Sequence, residues 1–178
     1  MKQKIIFLDF DGVLNSVRSV TAEQNLVNAV RAKYDILAGK PIASGFDPIA
    51  VKLMWQLIIK TDSYVVVSSA WRKAISLSDI RNIFHHEFGW PSDDANERII
   101  GVTGRRGDGH RGREIQQWID DHTVGIANFK YIIIDDSYDF LDHQHKRFIQ
   151  TDPYEGFLYR DYTKAMDLMD GVVDEEIL

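Results

Sequence analysis

The chain has 178 residues, 44% hydrophobic and 27% charged, which suits one globular domain with a sizeable core. It contains no cysteine, so disulfides, thiolate zinc sites and cysteine nucleophiles are excluded, and a reducing compartment is compatible. A formal charge of −6 argues against a globally basic surface that coats nucleic acid, while leaving room for a local basic patch.

The first apolar run, Lys4–Leu8, is continuous rather than alternating, the pattern of a parallel strand covered on both faces. Asp9 breaks it too early for a secretion signal, and no run reaches the roughly 18 apolar residues of a membrane span. A cytoplasmic protein with no membrane association is therefore expected. Residues 23–34 have a helical pattern. Asp47-Pro48 reads as an N-cap and first-turn proline, with Ile49, Leu53, Met54, Leu57 and Ile58 forming one apolar helix face. Residues 64–68 predict a second strand, and Ser76 or Ser78 caps a helix carrying Leu77, Ile80, Ile83 and Phe84. A short strand is expected over Ile99–Val102, and a helix with Ile115, Trp118 and Ile119 starts near Gly112. Residues 131–134 and 147–150 predict two more strands, and residues 162–169 a last helix. Strands alternating with helices imply a three-layer α/β fold with a mainly parallel sheet, which binds ligands at the carboxyl ends of its strands.

Those ends carry the chemistry. Asp9 and Asp11 sit at positions i and i+2, so both carboxylates face one side, where they repel unless a cation or proton intervenes. Gly12 then allows a turn. A calcium loop is disfavoured because Val13 and Val17 stand where further oxygen ligands belong. Ser68-Ser69-Ala70-Trp71-Arg72 offers hydroxyls and backbone N–H groups to a phosphate, although such serines are also ordinary turn residues. Arg111-Gly112-Arg113-Glu114-Ile115 opens a helix with a cation, although Arg105, Arg106, Arg111 and Arg113 by themselves read more readily as a solvated basic loop. Asp135-Asp136 follows a buried strand, where an acidic pair is costly unless it caps something or binds a cation. His85-His86 lies on an expected helix, where adjacent residues diverge, and His143-x-His145 lies in a polar loop without an obvious third ligand, so both pairs read as surface residues. The acidic tail, Asp174-Glu175-Glu176, reads as a solvated terminus.

Together these segments resemble the haloacid dehalogenase (HAD) superfamily of phosphatases. Asp9-Phe10-Asp11-Gly12-Val13-Leu14-Asn15 is similar to its first motif, Ser69 to its second, Arg111 to the third (where lysine is more usual) and Asp135-Asp136 to the fourth. Ser-Ser-x-Trp-Arg, Arg-Gly-x-Glu-Ile, Asp152-Pro153 and Gly156 resemble the small-cap or capless branch that includes HAD domains of nucleic-acid end-repair proteins. The resemblance implies a Rossmann-like HAD fold as one domain over residues 1–178, with residues 16–46 as at most a small helical cap.

It also implies Asp9 as a nucleophile forming an aspartyl-phosphate and Asp11 as general acid and base. Mg²⁺ would be held by Asp9, the Asp11 carbonyl and Asp136, with Asp135 a ligand or an orienting group behind one. Ser69 and Arg111 would hold phosphoryl oxygens, Ser69 being taken over Ser68 by one register step. Ser68, Ala70, Arg72 and Asn15 are expected around the substrate. The short insertions leave an open site, which suits a terminal phosphate on a nucleotide or a polynucleotide 3′ end. The arginines between residues 98 and 113, with Trp71 and Trp90, are candidates for backbone and base contacts, the equal alternative being core tryptophans and solvated arginines. The alternatives are a small-metabolite phosphatase and a non-catalytic HAD-fold binding module; no feature implies a partner protein.

Overall fold

The structure is a computed structural model that describes residues 3–22, 45–104, 107, 109–126 and 129–170. The chain order is β1 (Lys4–Leu8), α1 (Val17–Thr21), α2 (Pro48–Thr61), β2 (Tyr64–Val67), a 3₁₀ turn (Ala70–Lys73), α3 (Leu77–Phe88), α4 (Ser92–Arg98), β3 (Ile99–Val102), α5 (Arg111–His122), β4 (Lys130–Asp135), a second 3₁₀ turn (Asp142–Arg147), β5 (Phe148–Gln150) and α6 (Tyr159–Asp170). The expected helix over 23–34, and most of the expected cap, lie outside the described residues.

All strand pairs are parallel, in the order β3-β2-β1-β4-β5. β1 is central because Ile5, Ile6, Phe7 and Leu8 are apolar on both faces. Its alternate side chains enter two cores. Ile6 and Leu8 join Met54, Leu57, Phe84 and Ala165 beneath α2, α3 and α6. Ile5 and Phe7 join Val66, Ile133, Ile115 and Trp118 beneath α5. The chain builds outward from β1 to β3, then returns to β4 on the other side. The strand order therefore switches direction between β1 and β4, where α/β sheets open a crevice beyond their carboxyl ends.

The helix boundaries follow local chemistry. Asp47 caps α2 by accepting from Ile49 N–H at 2.8 Å, with Pro48 at the first position. Ser76, not Ser78, caps α3 through a reciprocal bond pattern with Asp79. Three expectations need adjustment. Ile49 is 65% exposed, and Ala50 and Val51 take the inner positions of α2 instead. α6 begins at Tyr159 rather than near residue 162, because Asp161 accepts from Leu158 N–H at 2.9 Å and ties the first turn. β5 starts at Phe148 because Arg147 belongs to the preceding 3₁₀ turn, its guanidinium 5.4 Å from the Tyr131 ring centre.

Candidate active site

Period-two alternation carries the core pattern into the site. Phe7, Val66 and Ile133 all face α5, so the residues two further on, Asp9, Ser68 and Asp135, face the same way just beyond the sheet. Register places them side by side, since Leu8 pairs with both Val67 and Ile134. The first turn of α5 closes over them. Arg111 Nη1 lies 2.7 Å from Asp9 Oδ2 and 2.6 Å from Asp135 Oδ2. Asp9 Oδ1 accepts from Phe10 N–H at 2.8 Å, which fixes its carboxylate. The Arg111 backbone N–H donates to Asp139 Oδ2 at 3.1 Å, anchoring the helix start to the loop after β4.

Two glycines make this approach possible. Gly12 has φ +73°, and a Cβ there would collide with the Asp136 carboxylate. At Gly112 a Cβ would lie 2.7 Å from Leu141 N and 2.8 Å from Phe140 Cα. Any side chain at either position would push apart elements that carry site residues.

Asp9, Asp135 and Asp136 each offer a carboxylate oxygen within 4.8 Å of the others, and this is the one such group of metal-binding side chains among the described residues. Asp135 is fully buried, with Oδ1 accepting from Ser137 N–H at 2.9 Å and Oδ2 from Arg111. Burial, reinforced by the Asp9 charge and only partly offset by Arg111, pushes its carboxyl up to about 7. Asp136 is half-buried and also raised, by burial and then by Asp9. Burial works against the Arg111 charge, yet Asp9 and Asp135 together raise its pKa. One arginine thus faces three acids, two of them raised, and a divalent cation fits that donor set.

Asp11 lies apart. Its carboxylate accepts from Trp71 Nε1 at 3.0 and 3.1 Å and from Asn15 Nδ2 at 2.8 Å. Asn15 in turn accepts from Gly12 N–H at 3.1 Å. The indole is wedged edge-on to Phe10 at 5.6 Å and tilted against Phe46 at 5.1 Å. Asn15 and Trp71 therefore hold this carboxylate, which is itself exposed.

The two serines differ. Ser69 Oγ caps the 3₁₀ turn through Trp71 N–H at 3.3 Å. Ser68 Oγ is buried on the α5 side with no hydrogen-bond partner among the described residues, a state that costs about 1–3 kcal/mol unless a ligand or water joins it. Ala70 is exposed at the start of the turn. Arg72, expected at the substrate, has a side chain only 3% exposed. Its Nη1 donates to Ser68 O at 2.6 Å and Ser69 O at 2.5 Å, and its Nη2 pairs with Glu114, itself 4% exposed. Arg72 thus ties the β2 loop to α5 and does not face solvent.

Sequence reading missed the roles of Glu114 and Trp71, although Ser-Ser-x-Trp-Arg and Arg-Gly-x-Glu-Ile contain both. Two opposite charges beside two strand or helix ends are the available signal. The expected nucleic-acid face also changes. Trp90 is core, 3% exposed and tilted at 36° against both Trp55 and Phe84, and Arg98 is engaged by Asp62 at 2.6 Å. Arg105 and Arg106 lie outside the described residues. Of the histidines, His85 Nδ1 bonds Trp90 O at 2.7 Å and His143 Nε2 bonds Gln116 at 2.9 Å.

No helix among the described residues is long and apolar enough to cross a membrane. No curated protein and no solved structure matches the chain. A family model does, described as the HAD domain in Swiss Army Knife RNA repair proteins, and it spans residues 5–161. With the parallel sheet, the acidic triad and Arg111 at the strand ends, the chain belongs to this HAD family.

Proposed function

We propose that the protein is a Mg²⁺-dependent phosphomonoester hydrolase acting through Asp9, with a nucleic-acid 3′ end or a nucleotide as substrate. The observation that carries this reading is the division of labour among the acids. Asp9, Asp135 and Asp136 converge within 4.8 Å beside Arg111, while Asp11 is held separately by Trp71 and Asn15. That separation suits one carboxylate as nucleophile and another as proton carrier.

Asp9, Asp136 and the Asp11 carbonyl are the proposed Mg²⁺ ligands, with Asp135 behind them holding Arg111. When bound, the cation supplies charge that neutralises phosphoryl oxygens and lets an anion approach these acids. The raised pKa values of Asp135 and Asp136 support the fit, because a cation beside them would offset the burial and the Asp9 charge that raise both.

In the first half-reaction an Asp9 oxygen attacks phosphorus. The bond to the ester oxygen breaks, and Asp11 donates the proton that oxygen needs to leave as an alcohol. In the second, Asp11 takes a proton from water, whose oxygen attacks phosphorus and releases inorganic phosphate and the free Asp9 carboxylate. Arg111 balances charge on the phosphoryl oxygens in both steps. We assign the phosphate-binding hydroxyl to Ser68 rather than Ser69, because the Ser68 Oγ has no protein partner.

The test is hydrolysis of a 3′-phosphorylated oligonucleotide, a nucleoside 3′-monophosphate and p-nitrophenyl phosphate, with Mg²⁺ and with chelator. Phosphate release that requires the metal and vanishes in Asp9→Asn is expected. Inertness toward every substrate, or activity that survives Asp9→Asn, would overturn the reading.

A further inference from the structure

A second set of groups, unused by the chemistry above, runs along the β5 side of the sheet. β5 is the outermost strand on its side, and Gln150 links it to the site by donating to Asp136 O at 3.1 Å. Tyr138 lies two residues beyond Asp136, at most about 7 Å along an extended backbone. Its side chain is a large apolar surface left in water, the residue being 64% exposed. The ring stacks on His145 at 4.4 Å and 25°, and meets Phe148 edge-on at 5.8 Å. His145 Nδ1 is buried with no hydrogen-bond partner among the described residues, and the imidazole packs against the Tyr138 and Phe148 rings.

His145 then lines a groove of about 410 Å³ between the second 3₁₀ turn, β5 and α6, together with Lys146, Phe148, Arg160, Lys164 and Asp167. Arg160 is partly committed, since Glu155 pairs with it. Lys146 and Lys164 are exposed cations, with Asp167 in the same groove and Asp161 acting on Lys164 from the first turn of α6. An exposed aromatic platform beside a phosphate-processing site, continuous with cations leading away from it, combines the two elements that single-stranded nucleic acid requires. Bases stack on the ring, and phosphates neutralise the cations.

We infer that Tyr138, His145, Lys146 and Lys164 form a track for the single-stranded polynucleotide whose terminal phosphate is bound at Asp9. Tyr138 stacks on a base close to the end, and the two lysines contact phosphates farther along the strand. The direction of the strand rests on the phosphatase reading; the binding itself does not.

The test is fluorescence anisotropy of a 5′-fluorescein-labelled oligouridylate bearing a 3′-phosphate, titrated with Asp9→Asn protein in Mg²⁺ at several salt concentrations. Lys146→Glu/Lys164→Glu is expected to weaken binding at least about tenfold and to flatten the log K against log salt slope by about 1.4, at ~0.7 for each phosphate no longer neutralised. Tyr138→Ala is expected to weaken binding by about fivefold or more, with little change in slope, because stacking is not ionic. Lys52→Glu, on the exposed side of α2, makes a single charge reversal away from the groove and serves as the control. Thermal midpoints for every variant exclude unfolding as the cause. Binding equal to the Asp9→Asn parent in both track variants, or a loss as large in Lys52→Glu, overturns the track. Binding is read without turnover, so the track stands or falls whether or not the wild-type protein hydrolyses phosphate.

Discussion

Replacing Glu114 by glutamine keeps the size of the side chain and an oxygen that accepts from Arg72, but removes its charge. The Arg72 guanidinium then stays under the β2 loop, bonded to Ser68 O and Ser69 O at 2.6 and 2.5 Å, without that countercharge. Both side chains are at most 4% exposed, so solvent screening is small. Breaking a buried ion pair from one side costs about 3–5 kcal/mol, and the retained amide oxygen places this substitution near 3. That is a large share of the 5–15 kcal/mol typical of a whole domain. For a chain of this size it corresponds to a fall in Tm of about 6–12 °C. Urea unfolding followed by circular dichroism would measure it, and a cycle with Arg72→Gln should give a coupling energy above about 1 kcal/mol. The same loosening should lower kcat/KM, because Arg72 holds both serine carbonyls. A Tm within about 2 °C of wild type, or additive single mutants, would refute the assignment of this pair as the tie between β2 and α5.

Other outcomes follow from single contacts. Ser68→Ala should lower kcat/KM far more than Ser69→Ala, whose hydroxyl caps only a short turn; steady-state kinetics showing equal losses would return the phosphate to Ser69. Trp71→Phe keeps the ring against Phe10 and Phe46 but removes the N–H that holds Asp11. Alkyl phosphates, whose leaving oxygen needs a proton, should slow by about tenfold to a hundredfold, and p-nitrophenyl phosphate by much less. Uniform slowing would mean that the indole is only packing. Asp135 has a folded-state pKa raised from 3.8 to about 7, so its protonated form favours the native state fully below the unfolded value, and that contribution is lost as pH rises through about 7. In chelator, the Tm difference between wild type and Asp135→Asn should therefore shift against wild type as pH rises from about 4 to 7, and Mg²⁺ should reverse the shift. A pH-independent difference would contradict the buried, raised carboxyl.

The fold was legible where sequence patterns are local. Lys4–Leu8 and Ile99–Val102 are strands over the expected residues, since an uninterrupted apolar run between turn residues has few other solutions. α4 was not legible, because Ser-Asp-Asp-Ala-Asn-Glu-Arg has no apolar period and buries only Ala95. The positions of Asp9 and Asp135 beside each other follow from period two and register, both readable once the strands are placed. Arg72 was misjudged for a different reason. A charged residue beside a phosphate loop suggests a ligand contact, but its environment is set by Glu114, 42 residues away. Trp71 is similar, its partner Asp11 being 60 residues distant. Such pairings depend on how α5 and the β2 loop pack over β1, which no local pattern encodes.

Covalent participation of Asp9 is tested most directly by trapping. The protein is mixed with substrate and Mg²⁺, quenched with borohydride and digested, and the peptides are sequenced by mass spectrometry. Reduction of an aspartyl-phosphate converts that aspartate to homoserine. Homoserine at Asp9, dependent on both substrate and Mg²⁺, is the predicted result. Homoserine at another acid, or none at Asp9 while turnover proceeds, would contradict the account.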